Sequence, residues 1–275
     1  MHVVIIGASR GCGLESTLQI LNVHPSAKVT LLLRRPEELS PILTERGVAL
    51  SDIGDDNTKR IRLLKGDALN PEDVQKLFTS SVDVVLSTIG ATQLDFSNPV
   101  HPKIKPGSIC TRATSILLSA YKVYIDANPA LPHPHLIVLS SNGLGSQGYQ
   151  DLPLLWKPLY GWLLQDPHAD KEIMEWIIFS AAKGSHPDAY VQEFGEKNAS
   201  ADAVAVKTGL GSGWLKKFTV VRPAFLTDGK VTGTYRAGER VQGTYTISRK
   251  DIGHFVAERV VGKEEWVGKA VTVGW

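Results

Sequence analysis

The chain has 275 residues, of which 43% are hydrophobic, enough apolar material for one large buried core. Thirty basic residues stand against 28 acidic ones for a formal charge of +2, so no global field draws the chain to nucleic acid or to an anionic membrane. The two cysteines exclude a disulfide framework, the opening apolar run is too short for a secretory leader, and no later run approaches a membrane span.

Short β-rich runs alternate with longer helical ones. "HVVII" (2–6) runs into a predicted helix over 13–22. "KVTLLL" (28–33) precedes a helix over 36–47, "IRLLKGD" (61–67) one over 70–78, and "VDVVLST" (82–88) one over 108–122. "HLIVLSS" (135–141) precedes a helix over 168–183, and "FTVVRPA" (218–224) closes the series. The strands are continuous apolar runs, as parallel strands covered on both faces require. The pattern predicts an α/β fold with a doubly wound parallel sheet, the Rossmann arrangement, in a single domain over 1–275. Two stretches fit the rhythm less well. They are 90–108 and 184–213, the second with a short helix expected at 187–194. Segments 150–216 and 224–275 are expected to cover a substrate at the carboxyl ends of the strands, the latter as a small C-terminal region ending in a strand at 269–275.

Between the first strand and first helix stands "GASRGCG". A chain that must turn sharply, bring its backbone close to a phosphate and offer free helix N–H groups cannot carry side chains there. Gly7 suits the turn, Gly11 the close approach and Gly13 the packing of helix on strand, with Ser9, Arg10 and Cys12 between them. At the end of the second strand, where an acid would meet an adenosine ribose, the chain has Arg34 and Arg35. With Arg10 they can meet a 2′-phosphate through bidentate hydrogen bonds, which predicts NADP(H) as cofactor rather than NAD(H). The plainer alternative is a surface pair of arginines neutralised by Glu37 and Glu38.

"GASRGCG", "KGDALNPEDV", "VLSTIGAT" and "VVRPAFLTDG … YTISRKDIGHFV" together resemble the atypical short-chain dehydrogenase/reductase superfamily, in its NmrA-like and biliverdin reductase B-like branch, particularly small reductases of fungal secondary metabolism. The resemblance implies Asp67 and Ala68 near the adenine, Ser87, Thr88 and Gly90 beside the ribose and diphosphate, and Pro223, Ala224 and Phe225 close to the nicotinamide. Members of the wider superfamily use a serine and a tyrosine four residues before a lysine. Here Ser140 and Ser141 match the serine and Lys171 the lysine, but Pro167 stands where the tyrosine belongs. His168, three residues before Lys171, is the preferred proton donor; the alternative leaves it solvated at a helix start. Trp156, Tyr160 and Trp162 are expected to wall the substrate site, and Cys12 is a small filler rather than a reactive thiol.

These readings lead to a cytoplasmic NADPH-dependent reductase, monomer or homodimer, acting on a carbonyl, imine or conjugated double bond of a small organic molecule. An NADP(H)-sensing regulator and a cyclase or isomerase that keeps the cofactor without net redox are the alternatives.

Overall fold

The computed structural model describes residues 1–90, 93–95, 103–105, 107–182, 184–200, 203 and 211–275. The strands are β1 (His2–Ile6), β2 (Lys28–Leu33), β3 (Ile53–Gly54), β4 (Ile61–Lys65), β5 (Val84–Ser87), β6 (Gln93–Asp95) and β7 (Lys103–Lys105). They continue with β8 (His135–Leu139), β9 (Phe218–Pro223), β10 (Phe225–Thr227), β11 (Arg236–Gly238), β12 (Thr246–Ser248) and β13 (Lys269–Gly274). The helices are α1 (Gly11–Val23), α2 (Pro36–Glu45), α3 (Pro71–Gln75), α4 (Ile109–Ala127), α5 (Gly145–Asp151), α6 (Lys157–Leu163), α7 (Gln165–Ala182), α8 (Ala189–Asn198) and α9 (Arg249–Phe255).

One large sheet runs in the order β11-β13-β9-β8-β5-β1-β2-β4-β3, parallel throughout except for β11, which pairs antiparallel with β13. This is the doubly wound Rossmann arrangement that the alternating pattern predicts. Each central strand is buried on both faces. In β1, Val3 and Ile5 join one core with Leu14, Ile20, Ile252 and Phe255 of α1 and α9, while Val4 and Ile6 join the other with Leu117, Tyr121, Trp176 and Ile177 of α4 and α7. That two-sided burial is why these strands read as unbroken apolar runs. Because the strands are parallel, every loop after β1, β2, β4, β5, β8 and β9 emerges on one edge, and the winding reverses between β1 and β5. Ligands bind at such a reversal.

Several elements depart from the sequence reading. Helix α1 starts two residues earlier than predicted, directly on Gly11. Part of 224–275 belongs to the core: β13 pairs with β9, and α9 packs along α1. The parallel pair β10–β12 forms a separate two-stranded sheet. Helix α8 begins where Asp188 accepts a hydrogen bond from the Tyr190 amide at 2.8 Å, and it runs beyond the short helix expected there. Within 90–108 the described residues form the antiparallel pair of β6 with β7.

Candidate cofactor and active site

The carboxyl edge of β1 is stripped of side chains by geometry. Gly7 has φ +86° and Gly11 φ +59°, both in the left-handed region that L side chains avoid. Gly13 is forbidden a side chain for another reason. A Cβ there would stand 2.3 Å from the Gly7 carbonyl oxygen and 2.4 Å from Thr88 Oγ1. Thr88 locks the turn from the neighbouring strand end, its hydroxyl donating to the carbonyls of Ile6 at 3.2 Å and Gly7 at 3.0 Å. Helix α1 has no acidic residue in its first turn and no side chain capping its N-terminal amides. Its free N–H groups and positive dipole end therefore face outward over a bare backbone, which fits a diphosphate.

The remaining predicted cofactor residues lie along the same edge. Ser9 and Arg10 are exposed beside the glycines, Ser87 is buried at the end of β5, and Gly90 has open space around it. After β4, Asp67 and Ala68 form a half-buried turn: the Asp67 carboxylate accepts from the Leu69 amide at 2.9 Å, and its own amide donates to Asp73 at 2.9 Å. After β2 the two arginines separate. Arg35 pairs with Glu38 at 2.6 Å, the plainer alternative for that residue, whereas Arg34 is exposed with no partner among the described residues.

Lys171 and Ser140 meet. Lys171 Nζ donates to the Ser140 carbonyl at 2.7 Å, joining α7 to the end of β8. The Ser140 hydroxyl is buried and has no partner among the described residues, an orphaned donor on the cofactor edge. Ser141 beside it is partly exposed. The loop that follows is held from three sides. Asn142 donates from its main chain to Pro223 at 2.8 Å, Gly143 (φ +84°) lies against the Tyr160 ring, and the Gly145 amide donates to Glu172 at 2.9 Å. Burial, followed by the nearby Glu175 and Asp188 carboxylates, pushes the Glu172 carboxyl up to about 7 against the pull of the Gly145 amide.

His168 requires a correction. It is neither solvated nor an acid at neutral pH. Its Nε2 is enclosed without a partner among the described residues, and its ring meets Tyr160 edge-on at 5.3 Å. Burial, then the positive charge of Lys171, depresses the imidazole to about 3, so the ring is uncharged at neutral pH. Tyr160 is buried with its ring against Gly143, and burial raises its phenol to about 12. The three aromatics do not form one wall. Trp156 stacks on Phe225 at 5.2 Å, beside the buried Pro223 and Ala224; Tyr160 lies beneath the serine loop; Trp162 is largely exposed. Burial pushes the Cys12 thiol up to about 11, as befits a filler, with Arg249 and Lys171 pulling the other way.

Behind the serine loop lies a buried polar cluster. Arg222 of β9 donates to both carboxylate oxygens of Glu175 on α7, at 3.0 Å through Nε, and His186 Nε2 reaches the same carboxylate at 3.1 Å. This pairing holds the fully buried Glu175 carboxyl far below its ordinary range. Glu175 stands one turn after Lys171, but Arg222 is 47 positions further on and only the fold brings the two together.

No family model matches the chain. It is 30% identical over 287 residues to the reductase pytE of Aspergillus terreus, covering 98% of this chain and 97% of the relative. The chain belongs to the atypical short-chain dehydrogenase/reductase superfamily. The oxidase pynE of Aspergillus niger is also 30% identical, over 311 residues, with 98% of this chain and 97% of the relative covered. Among solved structures, ChuY, an anaerobillin reductase from Escherichia coli O157:H7, superposes with a TM-score of 0.56 at 14% identity, over 99% of this chain and 96% of that one. A wide-type short-chain dehydrogenase/reductase from Veillonella parvula, solved in complex with NADP, gives a TM-score of 0.56 at 16% identity, over 100% and 94% of the two chains. These two structures share the Rossmann fold of this chain.

The sequence reading quotes "YTISRKDIGHFV" but gives no role to Arg249, whose stem lies over Gly11. A signal was present in "SRKD", where Ser248 caps α9: its hydroxyl accepts from the Asp251 amide at 2.9 Å and donates to the Asp251 carboxylate at 2.9 Å.

Proposed function

We propose that this protein is an NADP(H)-dependent oxidoreductase that reduces a carbonyl, imine or conjugated double bond of a small, largely apolar organic molecule. The observation that carries the reading is the bare cradle of Gly7, Gly11 and Gly13 at the uncapped start of α1, with the unpaired Arg34 at the next strand end. The cradle takes the diphosphate, Arg34 and Arg10 the 2′-phosphate, and Asp67 and Ala68 the adenine. The names of the fungal relatives, reductase and oxidase, support redox chemistry.

When bound, the cofactor supplies or accepts a hydride. The chain's own part is to hold the reacting faces together and exclude water from one of them. Lys171 fixes the end of β8 through the Ser140 carbonyl, and the orphaned Ser140 hydroxyl is free to donate to a ligand oxygen. Phe225, backed by Trp156, offers an apolar floor at the end of β9. With Pro167 in place of the superfamily's tyrosine and the His168 imidazole neutral, the proton that follows hydride delivery comes from solvent.

Mixing the purified protein with NADPH and a panel of quinones, flavins and ketones, and following NADPH absorbance, tests the reading. Oxidation of NADPH with at least one class is expected; a protein that binds NADPH yet oxidises it with none points to the second reading. That reading, a sensor that reports the NADP(H) ratio to a protein partner, is favoured by Pro167 standing where the superfamily's tyrosine belongs. Partner recovery that differs between NADP+ and NADPH would support it.

A further inference from the structure

Helices α1 and α9 run side by side in the same direction, in register at two levels. Gly253 touches the α1 backbone so closely that a Cβ there would stand 2.6 Å from the Glu15 carbonyl carbon. One turn earlier, the Arg249 stem lies over Gly11: a Cβ on Gly11 would be 3.9 Å from Arg249 Cδ and 4.0 Å from its Nε. The glycine at 253 thus permits the contact that delivers a guanidinium to the loop where a diphosphate is expected.

That guanidinium is engaged only loosely. Arg249 pairs with Asp228 at 2.8 Å, but the Asp228 side chain is 91% exposed, and an ion pair so open to water contributes little. The two residues line a cavity of about 380 Å³ with Gly11, Glu15, Lys230 and Lys250. Glu15 is already neutralised by a two-pronged bond from Arg46 at 3.0 and 2.9 Å, and Asp228 by Arg249 itself. Lys230 and Lys250 are left over, so the cavity next to Gly11 is net positive. Its position along the loop is also defined. The sheet order gives this: α9 packs on β12, which touches β13, on the side of β1 opposite β2 and Arg34.

Building on the cofactor reading above, we infer that Arg249 is a phosphate-binding residue that leaves Asp228 to grip the phosphate next to the nicotinamide ribose, with Asp228 as the latch that holds it when that phosphate is absent. The exchange replaces a solvent-exposed ion pair by charge-assisted bonds to a phosphate partly shielded by the loop.

Calorimetric titration of the full chain with NADP+ and with adenosine 2′,5′-bisphosphate, which lacks the nicotinamide-side phosphate, tests this. In Arg249→Gln the affinity for NADP+ should fall about tenfold while that for the bisphosphate stays within about twofold. In Asp228→Asn, which frees the arginine, NADP+ should bind about two- to threefold more tightly. Thermal melting of both variants checks that the fold is kept. Wild-type affinity for NADP+ in Arg249→Gln, an equal loss for both ligands, or a loss in Asp228→Asn would overturn the inference while leaving the cofactor reading intact. Failure of the unaltered protein to bind either ligand would overturn both.

Discussion

The ammonium of Lys171 is held 2.7 Å from the main-chain carbonyl of Ser140, so a helix that begins far from β8 in sequence fixes the backbone at that strand's end. A charged donor to a partly buried carbonyl is worth roughly 1.5–3 kcal/mol. Lys171→Met should therefore lower kcat/KM for NADPH oxidation about 10- to 100-fold and reduce the melting temperature by a few degrees. Steady-state kinetics and thermal denaturation together check this, and unchanged kinetics would remove Lys171 from the site.

Arg34 and Arg35 are predicted to differ although they are neighbours. Arg35 already pairs with Glu38, whereas Arg34 has no partner among the described residues. Arg34→Ala should weaken NADPH binding about tenfold or more and leave NADH binding nearly unchanged; Arg35→Ala should have a smaller effect. Equilibrium titration with the two nucleotides measures the ratio. Equal losses for NADPH and NADH would show that no 2′-phosphate is read here.

Stability should fall on mild acidification. Burial lowers the His135 imidazole to about 4 and the His168 imidazole to about 3, against about 6.5 in an unfolded chain. Between those values the unfolded chain takes up protons that the folded one refuses, so the contribution of each ring is complete above pH 6.5 and is lost as pH falls toward 4 and then 3. The His135 ring, hydrogen-bonded to Thr219 at 2.8 Å, accounts for about 3 kcal/mol when fully expressed. Urea midpoints at neutral pH and near pH 5 should differ accordingly, and His135→Gln should flatten the dependence.

Glu172 works in the opposite sense. Its carboxyl titrates near 7, above the 4.5 of a free glutamate, so the folded chain holds an extra proton in that window and stability declines as pH rises through it. Glu172→Gln keeps an acceptor for the Gly145 amide and cannot ionise. It should match the wild type near pH 5 and exceed it by about 2 kcal/mol near pH 8. Denaturant titrations at the two pH values decide the matter; a variant weaker at both would mean that the ionised carboxylate itself is needed.

How much of this was legible in the sequence depended on whether the cause was local. β1 and β2 are read to the residue because an apolar run buried on both faces ends abruptly at glycine or arginine. Asn70 signals α3 because its side chain caps the helix directly, accepting from the Glu72 amide at 2.9 Å. β3 and β11, two and three residues long at the sheet edges, leave no such run. The site divides the same way. The glycines and Arg34 stand out because their chemistry is set by their own neighbours in the chain. The neutral state of His168 is set by Tyr160 and Lys171 closing around it, and the grip of Arg249 on the loop by Gly253 touching Glu15, contacts that spacing alone does not announce.

Because Glu175, His186 and Arg222 satisfy one another away from water, α7, the segment that follows it and β9 cannot loosen one at a time. Removing Arg222 or Glu175 would strand the other's charge in apolar surroundings at a cost of several kcal/mol. The amide protons of α7 and β9 should therefore exchange with solvent together.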